Sequence, residues 1–210
     1  MINKGSMEEK GGLHEQRLSA VLAQLKNSRA RRVLDLGCGE GRLLALLLKD
    51  NSFKEIVGVD ISDQVLDTAA ERLHLDHLPP KQRQRINLVH GSLLDCDPRL
   101  IGFDAAAVVE VIEHLAPSEL ATFAHTLFEF MQPETVVITT PNAEYNVKWA
   151  APSAGRFRHE DHCFEWTRAE FERWAKQIAG QFGYTVRFLP LGSEDAVVGA
   201  PSQMGVFSRE

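Results

Sequence analysis

The chain has 210 residues, 44% of them apolar and 25% charged, a composition and length that suit one globular domain. No apolar run approaches the roughly 20 residues of a bilayer span, and a formal net charge of −6 disfavours a protein that grips long nucleic acid through many phosphates. Cys38, Cys96 and Cys163 are odd in number and form no Cys-x-x-Cys pair, which excludes a disulfide framework and a zinc ribbon and fits a reducing compartment.

Residues 1–12 are polar and glycine-bearing, without the apolar core of a signal peptide. They read as a disordered lead-in or a cloning remnant, which leaves 13–210 as the domain and points to the cytoplasm. Leu18, Val21, Leu22 and Leu25 recur at helical spacing and predict a helix over about 14–26. Val33 to Leu36 form a short buried-strand run, ended by glycines and followed by a helical stretch from Arg42 to Lys49. Ile56 to Ile61 predict a second strand. Ser62 is placed to cap a helix with Val65, Leu66, Ala69, Ala70 and Leu73 on one face.

The segment 77–84, with Pro79-Pro80, reads as a polar connection to a strand at Ile86 to His90. Lys81, Arg83 and Arg85 read as a solvated face. Two strands follow, at Phe103 to Val109 and Thr135 to Thr140, around a helix that Ser118 would cap and that aligns Leu120, Phe123, Leu127 and Phe130 or Met131. Thr167 to Glu170 has the form of a capping box, opening a helix with Phe171, Trp174, Ala175 and Ile178 inward. Thr185 to Leu189 and Gln203 to Ser208 predict a closing hairpin-like pair. Alternating strands and helices imply an α/β, doubly wound, mainly parallel sheet with ligands at the carboxyl ends of its strands.

The strongest local signal is Val33-Leu34-Asp35-Leu36-Gly37-Cys38-Gly39-Glu40-Gly41. Its glycines allow a sharp turn and a close backbone approach to a ligand, and Asp60, at the end of the second strand, suits a ribose diol. The string resembles the first motif of class I methyltransferases. That resemblance implies a Rossmann-like seven-stranded sheet and S-adenosylmethionine as cofactor. It puts the methionine end along Asp35, Gly37 and Gly39, the ribose on Asp60 with Ile61 beside it, and the adenine near Ser92 and Leu93.

Glu110, Glu113 and His114 follow the fourth strand as Glu-x-x-Glu-His; on a helical turn the three share one face and suit a hard divalent ion such as Mg²⁺ or Mn²⁺. A second ligand-rich stretch runs from Arg156 to Arg168, where His159 and His162 each stand as candidates for the same site. Asp161 to Arg168, together with Glu110 to His114 and Thr140 to Asn146, resembles the small-RNA 3′-terminal 2′-O-methyltransferase family, over about residues 14–208 and in its bacterial RNA-repair branch. The resemblance implies Glu110, Glu113, His114 and His162 as catalytic metal ligands for Mn²⁺ or Mg²⁺. It also implies an RNA 3′ end as substrate and a polynucleotide kinase-phosphatase as partner, reached through a further domain this chain lacks.

Arg156, Arg158 and Arg168 are candidates for the terminal phosphates, and Tyr145, Phe157 or Trp149 for base stacking. Phe164 and Trp166 read as core, and Cys163 as a small buried bystander. Two other readings stand beside this one: a metal-independent small-molecule O-methyltransferase and a non-catalytic cofactor- or RNA-binding module.

Overall fold

Residues 33–36 are buried on both faces, as a central parallel strand requires. The computed structural model describes residues 4–149 and 157–209. In chain order the main elements are α1 (Lys4–Asn27), β1 (Arg32–Leu36), α2 (Arg42–Lys49), β2 (Glu55–Asp60), α3 (Asp63–Arg72), α4 (Pro80–Arg83) and β3 (Ile86–His90). There follow β4 (Ala105–Val109), α5 (Leu120–Ala124), β5 (Thr135–Pro141), α6 (Arg168–Phe182), β6 (Tyr184–Leu191) and β7 (Ser202–Arg209).

The strands form one sheet in the order β3-β2-β1-β4-β5-β7-β6, parallel except for β7, which runs antiparallel to both neighbours. The expected doubly wound seven-stranded sheet is therefore present, and its closing pair is antiparallel as expected. Helices cover both faces. Leu18, Val21 and Leu25 of α1 pack with Leu44 and Leu47 of α2 on one side, and Phe123, Phe171 and Ile178 pack on the other. Successive β1 residues split between the two cores, Val33 to the first and Leu34 to the second, as strand alternation dictates. The chain order reverses between β1 and β4, so a crevice opens beyond the carboxyl ends of those two strands.

The local chemistry mostly follows expectation. Ser62 Oγ accepts from the Val65 amide at 3.4 Å, and Thr167 and Glu170 form the reciprocal capping box, with Gly183 closing α6 at φ 74. Four expectations are corrected. The first helix begins at Lys4, inside the stretch read as lead-in, because residues such as Met7, Glu8 and Glu9 propagate a helix at little cost once the packed turns downstream have nucleated it. Residues 75–83 hold a short 3₁₀ turn and α4, with Pro80 at the first helical position.

The third correction concerns the start of α5. Ser118 does not cap it; the turn starts one residue earlier, with Pro117 at its first position and the Glu119 carboxylate accepting from the Ala116 amide at 2.8 Å. Finally, β4 begins at Ala105 rather than at Phe103, whose buried ring precedes the strand. Beyond α5 the helix widens into π-turns over His125–Met131, keeping Leu127, Phe128 and Met131 inward.

Candidate cofactor cavity and metal centre

A cavity of about 580 Å³ opens over the glycine turn, walled by Asp35, Gly37, Cys38 and Gly39, by His14, Arg17 and Leu18 of α1, and by Val109 and Glu110 after β4. Gly37, Gly39 and Gly41 have φ of 73°, 52° and 74°. At Gly37 a Cβ would sit 2.6 Å from Val111 Cγ2, whereas at Gly39 it would project into open space. The first glycine therefore serves packing, and the second leaves room for a ligand.

Asp35 is almost fully buried, and among the described residues its Oδ2 has no hydrogen-bond partner. Burial first, then the nearby Asp60 charge, pushes its carboxyl up to about 7. An unpartnered buried carboxylate oxygen facing a cavity calls for a cationic donor, which the ammonium group of an amino-acid moiety provides. Asp60 accepts from the Gly39 amide at 3.0 Å and the Ser62 amide at 3.1 Å, so it braces the glycine turn from the end of β2. Ile61 leaves the strand and stands 70% exposed, an apolar surface beside Asp60. Ser92 Oγ accepts from the Leu94 amide at 3.1 Å, and Leu93 packs partly against the core.

Beyond β4 the chain turns at Glu110, whose φ of 54° is unusual for a side chain with a Cβ. A 3₁₀ turn follows over Ile112–His114, anchored by the fully buried Ile112. Glu113, His114 and His162 converge there, each offering a ligand atom within 4.8 Å of the others. Glu113 is fully buried; its Oε2 accepts from Thr140 Oγ1 at 3.0 Å and its Oε1 is unpartnered among the described residues. Burial, reinforced by the Glu110 charge, holds its carboxyl well above the usual range.

Both imidazoles are oriented through Nδ1. That of His114 lies 3.2 Å from the Asp161 carbonyl, and that of His162 lies 2.6 Å from Glu165 Oε1, which leaves each Nε2 for a ligand. Burial lowers the His114 pKa, favouring the neutral ring that ligation needs. One carboxylate and two imidazoles, with an orphaned buried oxygen among them, are a donor set that suits a divalent first-row ion such as Mn²⁺ and carries more nitrogen than the oxygen-preferring Mg²⁺ favours.

Glu110 does not join this cluster. Its positive φ turns the side chain off the helical face the spacing implied, so that it pairs with Arg17 at 2.9 Å and accepts from Thr139 Oγ1 at 3.0 Å. Arg17 also donates to Ser202 Oγ at 2.9 Å.

The substrate-side arginines are corrected too. Arg158 turns inward, donating from Nε to Asn146 Oδ1 at 2.8 Å and from Nη2 to the Asn142 carbonyl at 2.7 Å. Arg168 is held by the Glu144 carboxylate at 2.6 Å and by the Val197 carbonyl at 2.9 Å. Neighbouring acceptors hold Nε and Nη2 of each guanidinium, so both brace the loop, and Arg168 keeps an exposed face. Arg156 lies outside the described residues.

Tyr145 is half-buried against Trp149, while Phe157 stands exposed. Phe164 is core, as expected, and Trp166 packs on it with centroids 4.4 Å apart. Cys163 is exposed rather than buried, and its amide donates to the Glu113 carbonyl at 2.7 Å, which ties the His162 segment to the Glu113 turn. His159 stays exposed, its ring 5.7 Å from that of His162 and outside the cluster. Sequence reasoning gave Arg17 no role, and Glu165 none beyond the resembling string; nothing in their spacing marks them, since their partners are distant in the chain.

This strand order, with a glycine turn after β1 and an antiparallel β7, is the fold of class I S-adenosylmethionine methyltransferases. A family model described as a methyltransferase domain matches residues 34–137. The methyltransferase domain of a bacterial Hen1, CtHen1-CN, superposes with a TM-score of 0.86 at 52% identity, covering 93% of this chain and 99% of that one. The small RNA 2′-O-methyltransferase of Xenopus tropicalis is 40% identical over 204 residues, covering 94% of this chain and 55% of its own.

The chain belongs to the Hen1 small RNA methyltransferase family, as a counterpart of its methyltransferase domain. It spans about half the length of the curated vertebrate relatives it matches. A chain in a Pnkp1/Rnl/Hen1 RNA repair complex shares the fold at a TM-score of 0.72 and 21% identity, with 94% of this chain and 42% of that one covered. Among the described residues no helix is long and apolar enough to cross a membrane.

Proposed function

We propose that residues 13–210 form a catalytic unit that transfers a methyl group from S-adenosylmethionine to the 2′-hydroxyl of the 3′-terminal nucleotide of an RNA. The observation that carries this reading is the convergence of Glu113, His114 and His162 beside the cavity over the glycine turn. Asp35 receives the methionine ammonium, Gly39 leaves space for the chain of the cofactor, and Asp60, Ile61, Ser92 and Leu93 border its nucleoside. Glu113, His114 and His162 would hold the ion, and Glu110 would join them only on leaving both Arg17 and Thr139.

A divalent ion held there would supply charge stabilisation to a developing ribose alkoxide and affinity for a vicinal diol. The remaining work falls to the chain. The buried Glu113 and the Nδ1-anchored histidines present fixed donors, which holds a ribose in register with the cofactor cavity. His114, kept neutral by burial, serves as ligand without first losing a proton. Phe157 and Tyr145 offer aromatic faces to the last bases.

Only an unblocked RNA 3′ end carries two vicinal hydroxyls, so chelation selects that end over DNA or an internal nucleotide. The likeness to the Hen1 repair assembly supports a place in RNA repair, beside a polynucleotide kinase-phosphatase. Labelled-methyl transfer to a short RNA is expected to require added Mn²⁺ or Mg²⁺ and to vanish on the same RNA with a 3′-deoxy end. Equal transfer to both ends refutes the chelation reading.

A further inference from the structure

Glu165 stands outside the cluster, yet it holds one of the cluster's members, His162. Its carboxylate is fully buried, and Oε1 lies 2.6 Å from His162 Nδ1 and 2.6 Å from the Arg158 amide, which donates to it. Oε2 accepts from Asn146 Nδ2. Asn146 in turn receives Arg158 Nε at 2.8 Å, and Arg158 Nη2 reaches the Asn142 carbonyl at 2.7 Å, at the start of the 3₁₀ turn Ala143–Lys148. A carboxylate so enclosed accepts three donors and offers none, so the imidazole facing it must present Nδ1–H.

We infer that Glu165 is a positioning residue for metal binding, fixing His162 in the Nδ1–H tautomer with Nε2 turned toward Glu113 and His114. This rests on the metal-site reading proposed above. A histidine ligand whose far nitrogen donates to a carboxylate is more basic and is locked in ring orientation, and losing such a partner characteristically weakens metal affinity about 10- to 100-fold. The network also explains the inward turn of Arg158: it supplies an amide to Glu165 and a guanidinium to the carbonyl of Asn142, the residue after β5, fastening the His162 segment to the end of that strand. Without that fastening, a half-exposed loop would hold one ligand of the site.

The test compares wild type with Glu165→Gln, which keeps the shape and removes the charge. Nitrogen-15 correlation spectra of the histidine rings in metal-free protein report the tautomer directly. Titration calorimetry with Mn²⁺ alone reports affinity, and S-adenosylhomocysteine binding reports an intact fold. The expected result is a wild-type His162 protonated at Nδ1, mixed tautomers in E165Q, Mn²⁺ binding weakened at least tenfold, and S-adenosylhomocysteine affinity within about twofold.

A folded E165Q with the wild-type tautomer and Mn²⁺ affinity overturns the inference. If wild type binds no Mn²⁺ while E165Q still loses the tautomer, the metal reading fails and the orienting role of Glu165 stands. Should E165Q not fold, Glu165→Asp decides, because it keeps the charge and shortens the reach: mixed tautomers with weakened Mn²⁺ binding support the assignment, and wild-type behaviour overturns it.

Discussion

Asp35 is a group whose burial costs stability, a cost that the proposed cofactor contact would explain. Moving its carboxyl from 3.8 to about 7 on folding corresponds to a penalty of about 4 kcal/mol for the ionised form. The folded chain keeps this proton to higher pH than the unfolded chain does, so the folded state binds more protons between those values. The contribution of Asp35 is therefore favourable at low pH, declines as pH rises from about 4, and reaches its full penalty above about 7.

Asp35→Asn imitates the neutral form at every pH. At pH 8 it should stabilise the cofactor-free protein by up to about 4 kcal/mol, against little change at pH 4, as read by urea unfolding across that range. It should also weaken S-adenosylhomocysteine binding at least about tenfold, since the ammonium loses its counter-charge while the amide retains only a neutral acceptor. In the wild type that affinity should rise as pH passes through 7. A D35N stability profile parallel to wild type over the whole range, with S-adenosylhomocysteine affinity unchanged, refutes both halves of the reasoning.

Two further substitutions probe the crevice. Gly37→Ala imposes a φ of 73° on a residue with a Cβ and drives that atom against Val111, so it should cost at least about 1–2 kcal/mol in urea unfolding; a neutral effect would mean that Val111 has room to move. Arg17→Met removes the ion pair on Glu110 and leaves that carboxylate partly buried, which should cost about 1–3 kcal/mol. The same variant should bind Mn²⁺ several-fold more tightly by calorimetry, because Glu110 is no longer held away. Unchanged Mn²⁺ affinity in R17M removes Glu110 from the ligand set.

How far the sequence was legible depended on whether the determining contacts were local. Residues 33–36, 56–61 and 135–140 read as strands because burial on both faces demands mostly apolar or small side chains, and that demand is visible residue by residue; the second strand ends one residue earlier than read, at Asp60. The Thr167 capping box was equally legible, since both its members lie within four residues. The Ser118 cap failed because Pro117 starts the turn earlier. The expected shared face of Glu110, Glu113 and His114 requires helical φ at Glu110, which instead adopts 54° with no glycine to announce it. Arg158 and Arg168 looked free because Asn146 and Glu144, their acceptors, lie in another segment.

The left-handed turn at Glu110 does more than misdirect one side chain. Val109 and Glu110 wall the cofactor cavity, while Glu113 and His114, three and four residues on, build the ligand cluster. One short stretch of backbone thus spans both sites, its ends anchored by β4 and by the buried Ile112. On the proposed reading, the separation between a donor in the cavity and an acceptor at Glu113 and His114 is largely set by this backbone rather than by side-chain adjustment. Direct displacement at a methyl group tolerates little error in distance or angle, and a spacer fixed in the main chain meets that demand where two independent loops would not. Arg17 lies at the hinge of this arrangement, lining the cavity while holding the one carboxylate of the segment that faces away from the cluster. The six residues from Val109 to His114 thus contribute to both the cavity wall and the ligand cluster.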